Sequence, residues 1–126
     1  MSVDLSRWRL EKAENTFIEG DQLLKLGLHH GAVNRFYYAA FHAARALLAT
    51  KRLDAAKHSG IISLFNREFV KNRVVSKSAS KTLSKLFTLR SEADYDDFRS
   101  FSQEEVIEAR TAVRALIGEI SDILNK

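Results

Sequence analysis

Four polar or basic side chains recur along one otherwise apolar stretch: Arg35, Tyr38, His42 and Arg45. Steps of three, four and three residues put them on one face of an α-helix. Around them stand Ala32, Val33, Phe36, Tyr37, Ala39, Ala40, Phe41, Ala43, Ala44, Ala46, Leu47 and Leu48. A helix apolar nearly all round is a central one, and charges on a central helix are costly unless partnered. Two arrangements supply partners. In one, Arg35, His42 and Arg45 line a cleft that receives a phosphate, and His42 moves protons near neutral pH. In the other, they are structural ion pairs with the acids Glu92, Asp94, Asp96 and Asp97.

The other histidines carry less chemistry. His29 and His30 precede Gly31 with no acid or third His at a ligand spacing, so they read as loop residues. His58, in Lys57-His58-Ser59-Gly60, opens a helix. It either shapes that helix start or holds an anion there with the free backbone amides. The chain has no Cys, which rules out a disulfide scaffold, a thiol nucleophile, a Cys-ligated zinc and an iron–sulfur cluster. No metal site and no cofactor is expected.

The elements that must position these residues are helices. The 126 residues contain no Pro and only five Gly, too little punctuation for a many-turned β protein. Apolar periodicity predicts helices from Leu5 to Leu26, Gly31 to Thr50, His58 to Val70 and Lys77 to Leu89, and from Ser102 to the C-terminus. Gly27 is placed to stop the first, and Ser102 with Glu105 has the spacing of a capping box. Lys71 to Ser76 reads as a loop, and Arg90 to Phe101 lacks helical periodicity. Short connections favour antiparallel neighbours, so the fold expected over residues 1–126 is all-α: one up-and-down bundle of four to five helices. No apolar run approaches the ~18 residues of a membrane span, and the first residues lack a signal-peptide core; a cytoplasmic protein is expected.

Charge is unevenly distributed. Residues 51–90 hold ten Lys/Arg against two Asp/Glu, and residues 91–126 four against nine. The basic third either attracts phosphate or RNA or pairs with the acidic end, within one chain or between two.

The blocks Asn34-Arg35-Phe36-Tyr37-Tyr38-Ala39-Ala40-Phe41-His42-Ala43-Ala44-Arg45, Lys57-His58-Ser59-Gly60, Leu64-Phe65-Asn66-Arg67-Glu68-Phe69-Val70 and Leu89-Arg90-Ser91-Glu92-Ala93-Asp94-Tyr95-Asp96-Asp97 together resemble the HEPN superfamily (higher eukaryote and prokaryote nucleotide-binding). The likeness is greatest to its small stand-alone prokaryotic branch and spans residues 10–120. It implies a four- to five-helix bundle, a homodimer, and pairing with a small nucleotidyltransferase in a two-component or toxin–antitoxin-type system. Many members are metal-independent RNases, with an Arg followed after four to six residues by a His. Arg90 matches that Arg, but no His follows it; Tyr95, Asp96 and Asp97 stand in the His position. A carboxylate there repels the scissile phosphate.

Three functions follow. The first is a binding module whose cleft for nucleotide or RNA phosphate is lined by Arg35, Tyr38, His42, Arg45, His58 and Arg90, with Asp94 and Tyr95 beside it. The second is a metal-independent endoribonuclease using His42 and Arg90, and the third a non-catalytic scaffolding dimer.

Overall fold

The computed structural model describes residues 2–126 as five helices and no strand. They are α1 (Ser2–Lys25), α2 (His29–Ala49), α3 (His58–Phe65), α4 (Lys77–Tyr95) and α5 (Gln103–Leu124), and α3 runs on into a π-helical turn over Asn66–Val70. The all-α bundle expected from the sequence is the observed fold.

Local chemistry sets the helix ends. Gly27, at φ +75°, takes the left-handed conformation that costs a residue without Cβ little. The amides of Gly27 and Leu28 then donate to the carbonyls of Leu24 and Leu23, at 3.0 and 2.9 Å, closing α1 in a Schellman turn. Ser76 caps α4 by accepting from the Ala79 amide at 3.1 Å. Ser102 and Glu105 form the expected capping box at the start of α5.

Three boundaries depart from expectation. The fourth helix continues past Leu89 to Tyr95. Arg90 and Asp94 form an i,i+4 ion pair at 2.8 Å across this last turn, which supports a helix despite its polarity. The second helix begins at His29, so both His29 and His30 are helical. His29 Nδ1 lies 2.8 Å from the Phe101 carbonyl oxygen and His30 Nε2 2.7 Å from that of Arg99, which ties the start of α2 to the α4–α5 connection. The third helix is α-helical only to Phe65; then the Lys71 amide reaches back to the Asn66 carbonyl at 2.9 Å, and Phe65 and Phe69 both stay in the core.

α2 packs against each of the other helices, whereas α1 and α4 do not touch. α1, α2, α4 and α5 therefore form a four-cornered bundle with α1 and α4 on opposite corners. α1 runs antiparallel to α2: Gly20 sits by Phe36, and Arg9 donates to the Arg45 carbonyl at 3.1 Å. Bidentate Arg114–Glu14 and Arg110–Asp21 pairs tie α5 to α1. The core beneath is continuous and includes the fully buried Phe36, Tyr37, Phe65, Leu83 and Ile117. Because α1 and α4 stay apart, one side of α2 is left uncovered between them, and the partly exposed Arg35, Tyr38, His42 and Arg45 line this groove.

The α1–α2 seam is tight at one point. A Cβ on Gly20 would stand 2.6 Å from the buried Phe36 ring. Gly20→Ala is expected to destabilise the protein by about 1–3 kcal/mol, the usual cost of overpacking, read as a lower urea midpoint at unchanged slope.

Candidate functional site

The groove floor is aromatic. Tyr38 packs edge-on to Tyr37 with ring centroids 5.1 Å apart, and Phe41 stacks on His58 at 4.2 Å. Tyr37 is wholly buried, and its hydroxyl lies 2.9 Å from His58 Nδ1. Burial raises the Tyr37 pKa above its ordinary value, against the pull of Arg90, so it remains a neutral phenol at pH 7. His58, the first residue of α3, therefore anchors that helix to α2 and does not cap it; Lys57 is the N-cap residue. Burial, then Arg90 and Arg45, hold the His58 pKa below the usual range.

Guanidinium groups rim this floor from both walls. On the α4 side, Arg90 Nη2 donates to the Tyr38 hydroxyl at 3.2 Å, and its guanidinium lies over both tyrosine rings at 5.7 and 5.6 Å. Such cation–aromatic contacts stabilise a charge where water is partly excluded. On α2 itself, Arg35 lies over Tyr38 at 5.3 Å and Arg45 over Phe41 at 5.9 Å. On the α1 side stand Arg9 and Lys12, two residues the sequence reading did not single out. Lys12 is exposed beside the apolar stripe of α1, where it looks like ordinary helix surface, whereas Arg9 is buried in register with Ala13 and Phe17.

The ion pairs differ from the scaffold arrangement considered for the stripe. Arg35 meets Asn34 at 2.7 Å and Glu19 at 3.5 Å. Arg45 pairs with Asp54 at 2.9 Å, and Arg9 reaches the same carboxylate at 3.6 Å. Of Glu92, Asp94, Asp96 and Asp97, only Asp94 bonds to the groove, through Arg90. Glu92 and Glu105 clasp Arg99 at 3.2 and 2.7 Å and bind the acidic connection to itself. The basic segment is therefore not neutralised by the acidic end: apart from Arg90–Asp94, no ion pair among the described residues joins them.

His42 sits where the cations converge. Its ring lies 6.0 Å from that of Tyr38 and 6.1 Å from that of Phe41. Burial, then Lys12, Arg45, Arg35 and Arg9, lower its pKa to about 4, so it is neutral at pH 7. Among the described residues the nearby carboxylates are Glu19 on Arg35 and Asp54, shared by Arg9 and Arg45 and itself 51% exposed. Among the described residues the Arg45 Nε is buried without a hydrogen-bond partner, a donor left unpaired beside the groove.

The fold thus gathers Arg35, Tyr38, His42, Arg45, His58 and Arg90 around one aromatic floor, with Asp94 attached through Arg90. It does not gather Tyr95, which ends α4 81% exposed. Chemically, the groove offers fixed guanidinium donors for an anion and a neutral imidazole between them, over a floor in which Tyr37 and Phe41 are buried and the Tyr38 ring is partly exposed.

The sequence matches the HEPN domain over residues 6–123, and the chain belongs to that family. It is 41% identical over 99 residues to a "UPF0332 protein" of Thermotoga maritima, covering 79% of this chain and 74% of that one. It is 33% identical over 118 residues to "Putative toxin MJ0605" of Methanocaldococcus jannaschii, covering 91% and 88%. A "UPF0332 protein" of Archaeoglobus fulgidus is 29% identical over 124 residues, 98% of each chain. No helix among the described residues is long and apolar enough to cross a membrane.

Proposed function

We propose that this HEPN domain binds the phosphate of a nucleotide or RNA in the α2 groove. In this reading it acts as a homodimer, with a small nucleotidyltransferase partner, in a toxin–antitoxin-type system. The observation that carries the binding step is the charge balance at His42: Arg9, Lys12, Arg35 and Arg45 converge on it, and two carboxylates offset them. An incoming phosphate would compete with Asp54 for Arg9 and Arg45 and with Glu19 for Arg35. The partly exposed Tyr38 ring is the one floor side chain placed to meet a base or ribose beside that phosphate. Support for the two-component setting is the name toxin carried by the M. jannaschii relative together with the family membership. Support for a dimer is the exposed apolar pair Leu5 and Trp8 on the groove-side helix α1.

The test is titration of adenosine 5′-monophosphate into the purified chain. Wild type binds, and Arg45→Gln and Arg35→Gln each weaken binding about tenfold to a hundredfold, the value of a charge-assisted hydrogen bond, while circular dichroism stays unchanged. Equal affinity in wild type and both variants refutes the groove as the site. The same samples, incubated with RNA and EDTA, are expected to leave it intact, because a His42 this weakly basic is a poor proton shuttle at neutral pH. Cleavage lost in both His42→Ala and Arg90→Ala would instead establish the endoribonuclease.

A further inference from the structure

The groove leaves the most basic part of the chain unexplained. From Phe69 to Ser91 there is no Asp or Glu, and there are six Lys or Arg. Arg90 alone of the six belongs to the groove and is paired, with Asp94. Among the described residues, Lys71, Arg73, Lys77, Lys81 and Lys85 have no carboxylate within 4.0 Å, although neighbouring segments are densely paired. Three of them, Lys77, Lys81 and Lys85, are exposed on α4 at intervals of four. They form one edge with a step of about 6 Å and a span of about 12 Å. That step is comparable to the distance between successive phosphates of a single strand.

This edge is separate from the groove. Arg90 lies nine residues beyond Lys81, two and a half helical turns, and so on the opposite side of α4. Lys81 and Lys85 border an open cavity of about 130 Å³ between α4 and α5, whose far wall is built by the small Ala109 and Ala112. The exposed Ser84 and Thr88 share the lysine face, the Thr88 hydroxyl donating to the Ser84 carbonyl at 3.2 Å. Two carboxylates stand near it: Glu108 on the cavity rim, and Glu119, already occupied by the Ser76 amide and hydroxyl at 2.6 and 2.8 Å. A row of unpaired ammonium groups beside the Ser84 hydroxyl is suited to phosphate oxygens, which position a strand without reading its sequence.

We propose that this face of α4 docks the sugar–phosphate backbone of single-stranded RNA. The proposal rests on the phosphate reading of the α2 groove for its choice of RNA, and it adds a second, sequence-independent contact on another face of the domain.

The experiment is fluorescence anisotropy of a single-stranded RNA of about 20 nucleotides, longer than one site of this kind, between about 50 and 200 mM salt. Wild type is compared with the triple variant Lys77→Gln, Lys81→Gln, Lys85→Gln, and adenosine 5′-monophosphate binding is measured in parallel. The triple variant is expected to bind RNA at least about tenfold more weakly, and its slope of log K against log salt to fall by about 2, because each single-strand phosphate contact contributes about 0.7. Its mononucleotide affinity stays at the wild-type value. Unchanged RNA affinity and slope overturn the proposal while leaving the groove reading intact. The reverse pattern, a lysine effect on RNA without any mononucleotide binding, refutes the groove alone. Failure of wild type to bind RNA also overturns the proposal. If the triple variant loses helicity, Lys81→Gln alone is expected to lower the slope by about 0.7.

Discussion

Replacing Phe36 with alanine is expected to destabilise the domain by about 3–5 kcal/mol. The side chain is fully buried, its ring lies 5.2 Å from that of Phe17, and it fills the space over Gly20. The neighbouring helices have limited freedom to close the hole. Arg114–Glu14 and Arg110–Asp21 hold α1 to α5, and Arg9 holds it to the far end of α2. Since a domain of this kind is stable by about 5–15 kcal/mol in all, the loss is a large share of the total. Urea unfolding measures it; a midpoint change equivalent to less than about 1 kcal/mol would mean that the seam repacks. The same change reaches function, because α1 carries Arg9 and Lys12 to the groove. Mononucleotide affinity is expected to fall in Phe36→Ala even where the protein remains folded.

The fold and half of the site were legible in the sequence because their signals are periodic. The apolar run from Ala32 to Leu48 could only be a central helix, and the three-four-three spacing of Arg35, Tyr38, His42 and Arg45 places them on one face of it. Helix ends marked by Gly27 and Ser102 fell where such residues put them. The last turn of α4 was not legible, because Arg90 to Tyr95 is held by one i,i+4 ion pair and carries no strong apolar repeat. Ionic partners were not legible either. Asp54 lies on the short α2–α3 connection with no periodicity of its own, and only the folded chain brings it to both Arg9 and Arg45. The local alternatives, the acids from Glu92 to Asp97, are nearer to Arg90 in sequence, and one of them does pair with it. One signal for Arg9 existed: it is four residues before Ala13 and eight before Phe17, on the buried side of α1, where an arginine requires a partner.

Acidification from pH 7 to pH 4 is expected to cost the folded state about 3 kcal/mol through His42. In the unfolded chain the imidazole titrates near 6.5, and in the folded chain at about 4. Between these values the unfolded state takes up a proton that the folded state refuses, so acid favours unfolding. The contribution is therefore fully present above about pH 6.5, declines as pH falls, and is exhausted below about 4. A difference of about 2.5 units at 1.36 kcal/mol each sets the size. His58, shifted in the same direction, adds to the slope over part of this window. Asp54 and Glu14, whose carboxyls Arg45, Arg114 and nearby hydrogen bonds hold below the usual range against burial, lose their contributions only at lower pH. Unfolding curves from pH 7 to 4 for wild type and His42→Gln measure the difference; parallel curves would refute it. The cause, once burial is set aside, is the same set of cations assigned to phosphate, and this links the titration to binding. An anion among Arg9, Lys12, Arg35 and Arg45 offsets their field and raises the His42 pKa, so binding takes up a proton. Sulfate keeps its charge across this range and serves as the probe. Its gain in Tm is expected to be larger at pH 5.5 than at pH 7.5 in wild type, and equal at the two in His42→Gln. A gain independent of pH in both proteins would place the anion away from His42 and remove the groove from the binding site.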